Sequence, residues 1–476
     1  MIDIKLVREN PKLVKENIKK KFQNEKLSLV DKIKKLDEEW RKLKYQEDGL
    51  RSERNKISKE INELKKNSTQ GRTTARVART PRRGENLFKA SHEAPRRCEN
   101  LSEAPKPFQE KVYKGQKDVN DLIKEAKEIP EKIEEIQVKR KKLEGEIRMI
   151  QAEIPNIISE DVPIGKDDSE NIEGKKYGKP RKFNFEVKEH AKAMEDLGMA
   201  DFDSSARVAG KGFYYIEDKI ALLNMALINY ARDIMVKKGY RYVEAPLLLR
   251  EEIIDRVTDL NDKKNMIYLV DDEPKLAMIG TSEHSLIGRF VDQEINEKEL
   301  PIKHTSYSMC FRKEIGSHGL DEKGLFRAHQ FNKVEMIVIC KPDVKESEKF
   351  YKEMQEIAIG VFKGLEVPIR ILKICSGDLG DLKYEQVDVE AWSPRTNKYY
   401  EVGSCSNLTE SQARKLNITT RIKGERKTPH TLNNTVIATS RALKAIIENH
   451  QQKDGSIKIP KALWKYTGFK EIKRGK

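Results

Sequence analysis

A chain of 476 residues has room for two or more domains and a large core. Lys and Arg exceed Asp and Glu to give a formal charge of +16, and this balance points to a polyanionic partner, above all nucleic acid. The opening "MIDIKLVRENPK" lacks an apolar core of signal-peptide length, no run of 18 apolar residues occurs, and the cysteines at 98, 310, 340, 375 and 405 show no CxxC or paired spacing. A secreted, membrane-spanning or disulfide-framed protein is therefore not expected, and the cytoplasm is the expected compartment.

From residue 29 an apolar position recurs every seven residues: Leu29, Leu36, Leu43, Leu50, Ile57, Leu64. Ile33, Trp40, Glu47, Arg54 and Ile61 interleave with it. A matching block reads Leu122, Ile129, Ile136, Leu143, Ile150, with Ala126, Ile133, Arg140, Ile147 and Ile154 between. Two heptad blocks of similar length, each spanning roughly 50 Å, predict an antiparallel two-helix coiled coil folded back on itself, with an oligomerisation coil as the alternative that two matched blocks in one chain disfavour. Facing positions in such a hairpin have a nearly constant sum of residue numbers. Leu64 then faces Leu122, and Glu47 faces Arg140, so these two polar residues are predicted to pair across the seam and fix the register. Pro130 is expected to kink the second helix or mark its frayed start, and Pro155 to end it.

Residues 67–116, between the blocks, are rich in Arg, Pro, Ser and Thr and carry a near-repeat, "TPRRGENL" and "APRRCENL". Low apolar content and scattered prolines predict a flexible insertion at the hairpin tip. The expected division is an arm over residues 1–165 and a globular domain over 166–476.

In the globular part, "GYRYVEAP" reads as strand and proline after a helix. Further strands are expected at "PKLAMIG", "KHTSYSMCFR", "NKVEMIVIC", "PIRILKICS", "QVDVEAW" and "KYYEVGSCSN", and a helical block at "NTVIATSRALKAIIENHQ". Strands in succession with helices around them predict an α+β domain on a mainly antiparallel sheet. Within it, "CFRKEIGSHGLDEKGLFRAHQFNKVE" is a charged hairpin with Gly316, Gly319 and Gly324 in its loop, and either a substrate site or a solvated hairpin would fit that pattern alone.

These segments together resemble the seryl-tRNA synthetase family, of the common, bacterial-like type. Class II synthetases share three signatures: a strand ending in proline, here Pro246; Phe-Arg-x-Glu, a loop and Arg-x-His-Gln-Phe, here Phe311 to Phe331; and a closing arginine, here Arg441 of "NNTVIATSR". "TSE", "EVGSCSN" and "TLNNT" are similar to seryl-enzyme segments. The resemblance covers nearly all of the chain except residues 67–116. It implies a class II catalytic domain behind a tRNA-binding arm. The implied activity is adenylation of serine by ATP, then transfer of serine to the 3′ end of tRNA(Ser) and, where present, tRNA(Sec).

Arg312 and Arg441 would be catalytic. Arg312, Glu314, Arg327, Phe331, Glu401, Ser404 and Arg441 would bind ATP; Thr281, Glu283, Arg312, Glu335, Asn433 and Thr435 would bind serine. Glu401 and Ser404 would be oxygen ligands for Mg2+, as a hard cation requires, and no zinc is expected. His304, His318 and His329 are expected to be structural. The resemblance further implies a homodimer with Pro246 at its interface and a tRNA partner with a long variable arm, read by shape and backbone. A non-catalytic RNA-binding relative and a ligase that loads a carrier protein are the competing classes. The arginine–glutamate set argues against the first and the arm against the second.

Overall fold

The structure is a computed structural model, and it describes residues 1–76, 119–315 and 324–474. His318 and most of the expected insertion lie outside the described residues. The chain divides into two compact units, Lys35–Ile147 and Met1–Lys34 with Arg148–Lys476.

In the first unit, helices α3 (Leu27–Arg76) and α4 (Val119–Glu153) supply the heptad seam; α1 (Ile4–Glu9) and α2 (Pro11–Lys20) precede them in the chain and belong to the second unit. Ile57, Leu122, Ile129 and Ile133 are buried, with Leu50, Ile61, Leu64 and Ala126 packed around them. The predicted polar layer forms. Glu47 is 2% exposed and ion-paired to Arg140, and it also accepts from Arg51 Nη2 at 2.7 Å and Gln137 Nε2 at 3.0 Å. Arg140 lies 4.7 Å over the Trp40 ring, whose Nε1 donates to Glu144 at 2.9 Å. Pro130 lies inside the second helix, which begins at Val119, so of the two expected effects the frayed start falls away; the flanking Ile129 and Ile133 are anchored in the seam. Helix α3 reaches Arg76, ten residues into the expected insertion.

The second unit is built on an eight-stranded sheet. Its strands are β1 (Ile172–Tyr177), β2 (Arg241–Tyr242), β3 (Ile302–Phe311), β4 (Gln330–Cys340), β5 (Ile369–Lys373), β6 (Glu385–Ser393), β7 (Lys398–Thr409) and β8 (His430–Ala438). Their order is β1-β5-β6-β7-β8-β4-β3-β2, antiparallel except for the β2–β3 pair. Helices α5 (Asp218–Lys237), α7 (Val344–Gly364) and α9 (Thr439–His450) cover one face. A further helix, α6 (Ser282–Gly288), lies between α5 and α7 in the chain, and α8 (Ser411–Lys415) precedes β8.

Strand alternation sorts the two faces. Val334, Met336, Val338 and Cys340 of β4 enter the main core with Leu432 and Val436 of β8, while Lys333 and Glu335 face the other way. "NTVIATSRALKAIIENHQ" departs from the expected helix: Asn434–Ala438 finish β8, and the helix starts at Thr439. β-Branched Thr435, Val436 and Ile437 suit a strand buried on both faces.

The N-terminal helices belong to this unit and grip one loop of it. Lys21, 2% exposed, donates its Nζ to the carbonyls of Leu379 and, at 3.4 Å, Ser376. Lys26 and Gln23 hold the Asp381 carboxylate at 2.6 and 2.7 Å. Asn156 holds the same loop: its backbone N–H donates to Asp381 O at 2.7 Å and its amide to Leu382 O at 3.3 Å.

Candidate active site

The sheet face away from α5, α7 and α9 carries a cleft of about 430 Å³. All twelve site residues singled out in the sequence line it: Thr281, Glu283, Arg312, Glu314, Arg327, Phe331, Glu335, Glu401, Ser404, Asn433, Thr435 and Arg441.

Arg312 follows β3. Its backbone N–H donates to His329 O at 2.9 Å, its Nε donates to Gly280 O at 3.1 Å, and its guanidinium lies 5.4 Å over the Phe331 ring. His329 Nδ1 sits 2.8 Å from Arg312 O, which fixes the backbone beside the arginine and fits the structural role expected of this histidine. His304, stacked on Phe290 at 6.0 Å, is also a packing residue. Glu314, at φ 52°, reaches Arg327 Nη1 at 3.5 Å. Gly324 closes the hairpin loop at φ 145°, and a Cβ there would come within 2.5 Å of His190 Nε2, so only glycine fits.

Glu401 and Ser404 share the cleft although they are three residues apart on β7. Simple alternation would put them on opposite faces. The register shift between Val389 and Glu390, where Gly403 and Glu401 are the partners, leaves Val402 as an extra residue and re-phases the strand. Gly403 lets β7 approach β8, since a Cβ there would sit 3.1 Å from Thr435 Cβ. Arg441, from the first turn of α9, holds Glu401 at 2.9 Å and lies 5.2 Å over Phe326. The Arg441 charge holds the Glu401 carboxyl below its ordinary value. Asp388, opposite Ser404 on β6, is pushed up to about 7, first by burial and then by the Glu401 charge.

At the other end, Thr281 caps α6, accepting from the Glu283 N–H at 3.3 Å. Glu283 accepts from Asn433 Nδ2 at 2.8 Å and Gln412 Nε2 at 2.7 Å. Burial, and then the Glu335 charge, raises its carboxyl. Glu335 pairs with Lys333 at 2.6 Å, and Thr435 Oγ1 lies 3.4 Å from it. Sequence reasoning missed Phe326, Lys333, Lys383, Asp388 and Gln412. Lys333 had a signal, the two-residue spacing from Glu335 on one strand face. Gln412 and Lys383 arrive from segments far away in the chain.

This arrangement offers a guanidinium over an aromatic ring, an oxygen-rich centre at Glu401 and Ser404, and a small polar pocket around Glu283. Residues 268–450 match the family model described as tRNA synthetase class II core domain (G, H, P, S and T), and residues 1–102 match the seryl-tRNA synthetase N-terminal domain. A serine–tRNA ligase from Methanospirillum hungatei is 43% identical over 365 residues, 76% of this chain and 85% of that relative. The solved seryl-tRNA synthetase from Pyrococcus horikoshii complexed with ATP superposes with a TM-score of 0.83 at 37% identity, covering 100% of both chains. The cytoplasmic serine–tRNA ligase from Naegleria fowleri in complex with AMP gives 0.80 at 29% identity, covering 100% of this chain and 99% of that one.

Proposed function

The chain belongs to the seryl-tRNA synthetase family, and from that premise we propose how its cleft joins serine to ATP and then passes serine to tRNA(Ser). The observation that carries the reading is the convergence of all twelve residues on one cleft. The serine carboxylate is already a nucleophile, so adenylation needs no general base. It needs the carboxylate held in line with the α-phosphate, and charge offset as pyrophosphate leaves.

Arg312 bridges serine carboxylate and α-phosphate in a fork. Phe331 carries the adenine on its face and Glu314 accepts from the adenine amino group. Arg327 and Arg441 hold the phosphate tail. Glu283, Thr281, Asn433, Glu335 and Thr435 receive the serine amino group and hydroxyl. A pocket built to bond a hydroxyl rejects alanine, which would leave those groups unpaired.

Glu401 and Ser404 fit a Mg2+ ion that arrives with the nucleotide. Among the described residues no cluster of three or more His, Cys, Asp or Glu could hold a metal. Two protein oxygens completed by phosphate and water are the usual magnesium shell. Asp388 is raised first by burial and then by the Glu401 charge, and a cation at Glu401 would offset the second of these. When bound, the ion would offset charge on the phosphates.

Residues 1–165 serve as the tRNA-binding arm, gripping the long variable arm of tRNA(Ser), and of tRNA(Sec) where present, and residues 166–476 as the catalytic domain. The partner copy in a homodimer covers apolar side chains left open on α5 and after Pro246, including Leu222, Met225, Val236 and Leu248. Among the described residues no helix is long and apolar enough to cross a membrane; the compartment we assign is the cytoplasm. The test is ATP–pyrophosphate exchange with each of the twenty amino acids. Exchange with serine alone is expected, and equal exchange with alanine or threonine would overturn the pocket assignment.

A further inference from the structure

The cleft cations are not equivalent. Arg327 has Glu314 at 3.5 Å, Lys333 has Glu335 at 2.6 Å and Arg441 has Glu401 at 2.9 Å. Lys383 also lines the cleft, yet among the described residues its Nζ meets a neutral partner, the side-chain oxygen of Gln386, and no carboxylate. Its charge is felt by Glu283, Asp388 and Glu401, so it stands among the acidic groups at both ends of the site without closing on any of them.

The backbone around Lys383 is fixed. Asn156 pins Asp381 and Leu382 from one side, Ser411 Oγ donates to Leu382 O, and Tyr384 N donates to Asn407 O at 2.8 Å. The carboxylate two residues earlier, Asp381, is turned to Lys26 and Gln23 and cannot neutralise it. A lysine held this firmly, with its charge left open toward a substrate cleft, is arranged for an anion that arrives with substrate.

We propose that Lys383 is a substrate-binding cation that takes a phosphate oxygen in the cleft, from the nucleotide or from the 3′-terminal phosphodiester of tRNA. The assignment rests on the synthetase reading given above and adds a residue to it. Lys383 forms no covalent bond and moves no proton. Its ammonium replaces lost hydration around one phosphate oxygen.

The experiment is steady-state kinetics of pyrophosphate exchange and of tRNA charging for Lys383→Gln, Lys383→Met and Lys383→Arg, each checked for an unchanged melting temperature. In the neutral variants the KM for ATP or for tRNA should rise about tenfold, the scale of one charge-assisted contact, and Lys383→Arg should restore most of it. A rise for ATP alone assigns the nucleotide phosphate. A rise for tRNA alone, with a salt dependence shallower by about 0.7 in log–log slope, assigns the single-stranded acceptor end. Wild-type constants in a folded neutral variant, a change in KM for serine only, or an arginine variant as impaired as the neutral ones would overturn the proposal. Failure of the synthetase reading is separate, because it would appear in the wild-type protein as absent serine-dependent exchange.

Discussion

The helical hairpin and the cleft bury the same kinds of side chain and treat them in opposite ways. In the hairpin, Glu47 collects Arg140, Arg51 and Gln137 and is saturated. In the cleft, Glu283 and Asp388 sit with their carboxyls raised, and Arg312 and Lys383 meet only neutral partners among the described residues. A closed polar layer specifies register. An open one stores electrostatic potential for a ligand, at a cost in stability.

The widest test of that contrast is to remove each region. Replacing Lys35–Ile147 with a short linker should leave serine-dependent exchange intact and abolish tRNA charging. Removing residues 1–165 should abolish both, because Lys21, Lys26 and Asn156 go with them. Identical behaviour of the two truncations in exchange and charging assays would erase the distinction. Next in size, Arg312→Lys keeps the charge and loses the fork, so exchange should fall by about two orders of magnitude or more. Near-normal exchange in the folded variant would remove Arg312 from catalysis.

A smaller effect is expected in the seam. Arg140→Met leaves the buried Glu47 with fewer partners and should destabilise the hairpin by about 1–3 kcal/mol, read by thermal melting. Adding Glu47→Leu should recover most of that loss, since no buried carboxylate is then left short of partners. If the double variant melts lower than the single one, the layer is more than a register device.

The two regions should also respond to pH with opposite sign. Hydrogen bonds from Gln137 and then the arginines lower the Glu47 carboxyl from 4.5 to about 2, so its contribution is present above about 4.5 and lost as pH falls toward 2. Asp388 is raised from 3.8 to about 7, so the folded state binds the extra proton and stability declines as pH rises between those values. Asp388→Asn should flatten that decline and Glu47→Gln the acid-side loss, both read as melting temperature against pH; curves parallel to wild type would refute the assignments. Least of all, replacing residues 67–116 with a four-residue turn should change neither melting temperature nor exchange. A large drop in either would mean that the segment packs on the enzyme.

The hairpin was almost fully legible in sequence because its contacts repeat every seven residues and need only local geometry. The large strands were legible from alternation, and the cleft residues from short motifs. What escaped depends on long-range pairing. The end of β8 looked helical because Val436, Ile437 and Ala438 run straight into the apolar spacing of α9. The common facing of Glu401 and Ser404 depends on a register shift against β6 that β7 alone does not reveal. Gln412 reaches Glu283 from 129 residues away, and no periodicity marks such a partner.

The grip of Lys21 on Leu379 spans 358 residues. During synthesis at about 5–20 residues per second, the N-terminal helices leave the ribosome roughly 20–70 s before that partner loop exists. The Glu47–Arg140 pair is only 93 residues apart, so the hairpin can close while the catalytic sheet is still being made. For that interval the N-terminal helices have the end of the hairpin, where Gln151 donates to Ile2 O and Asn17 to Asn156 O, but not the loop that Lys21 and Lys26 hold. The first segment made thus completes its contacts only after residue 381 has been made.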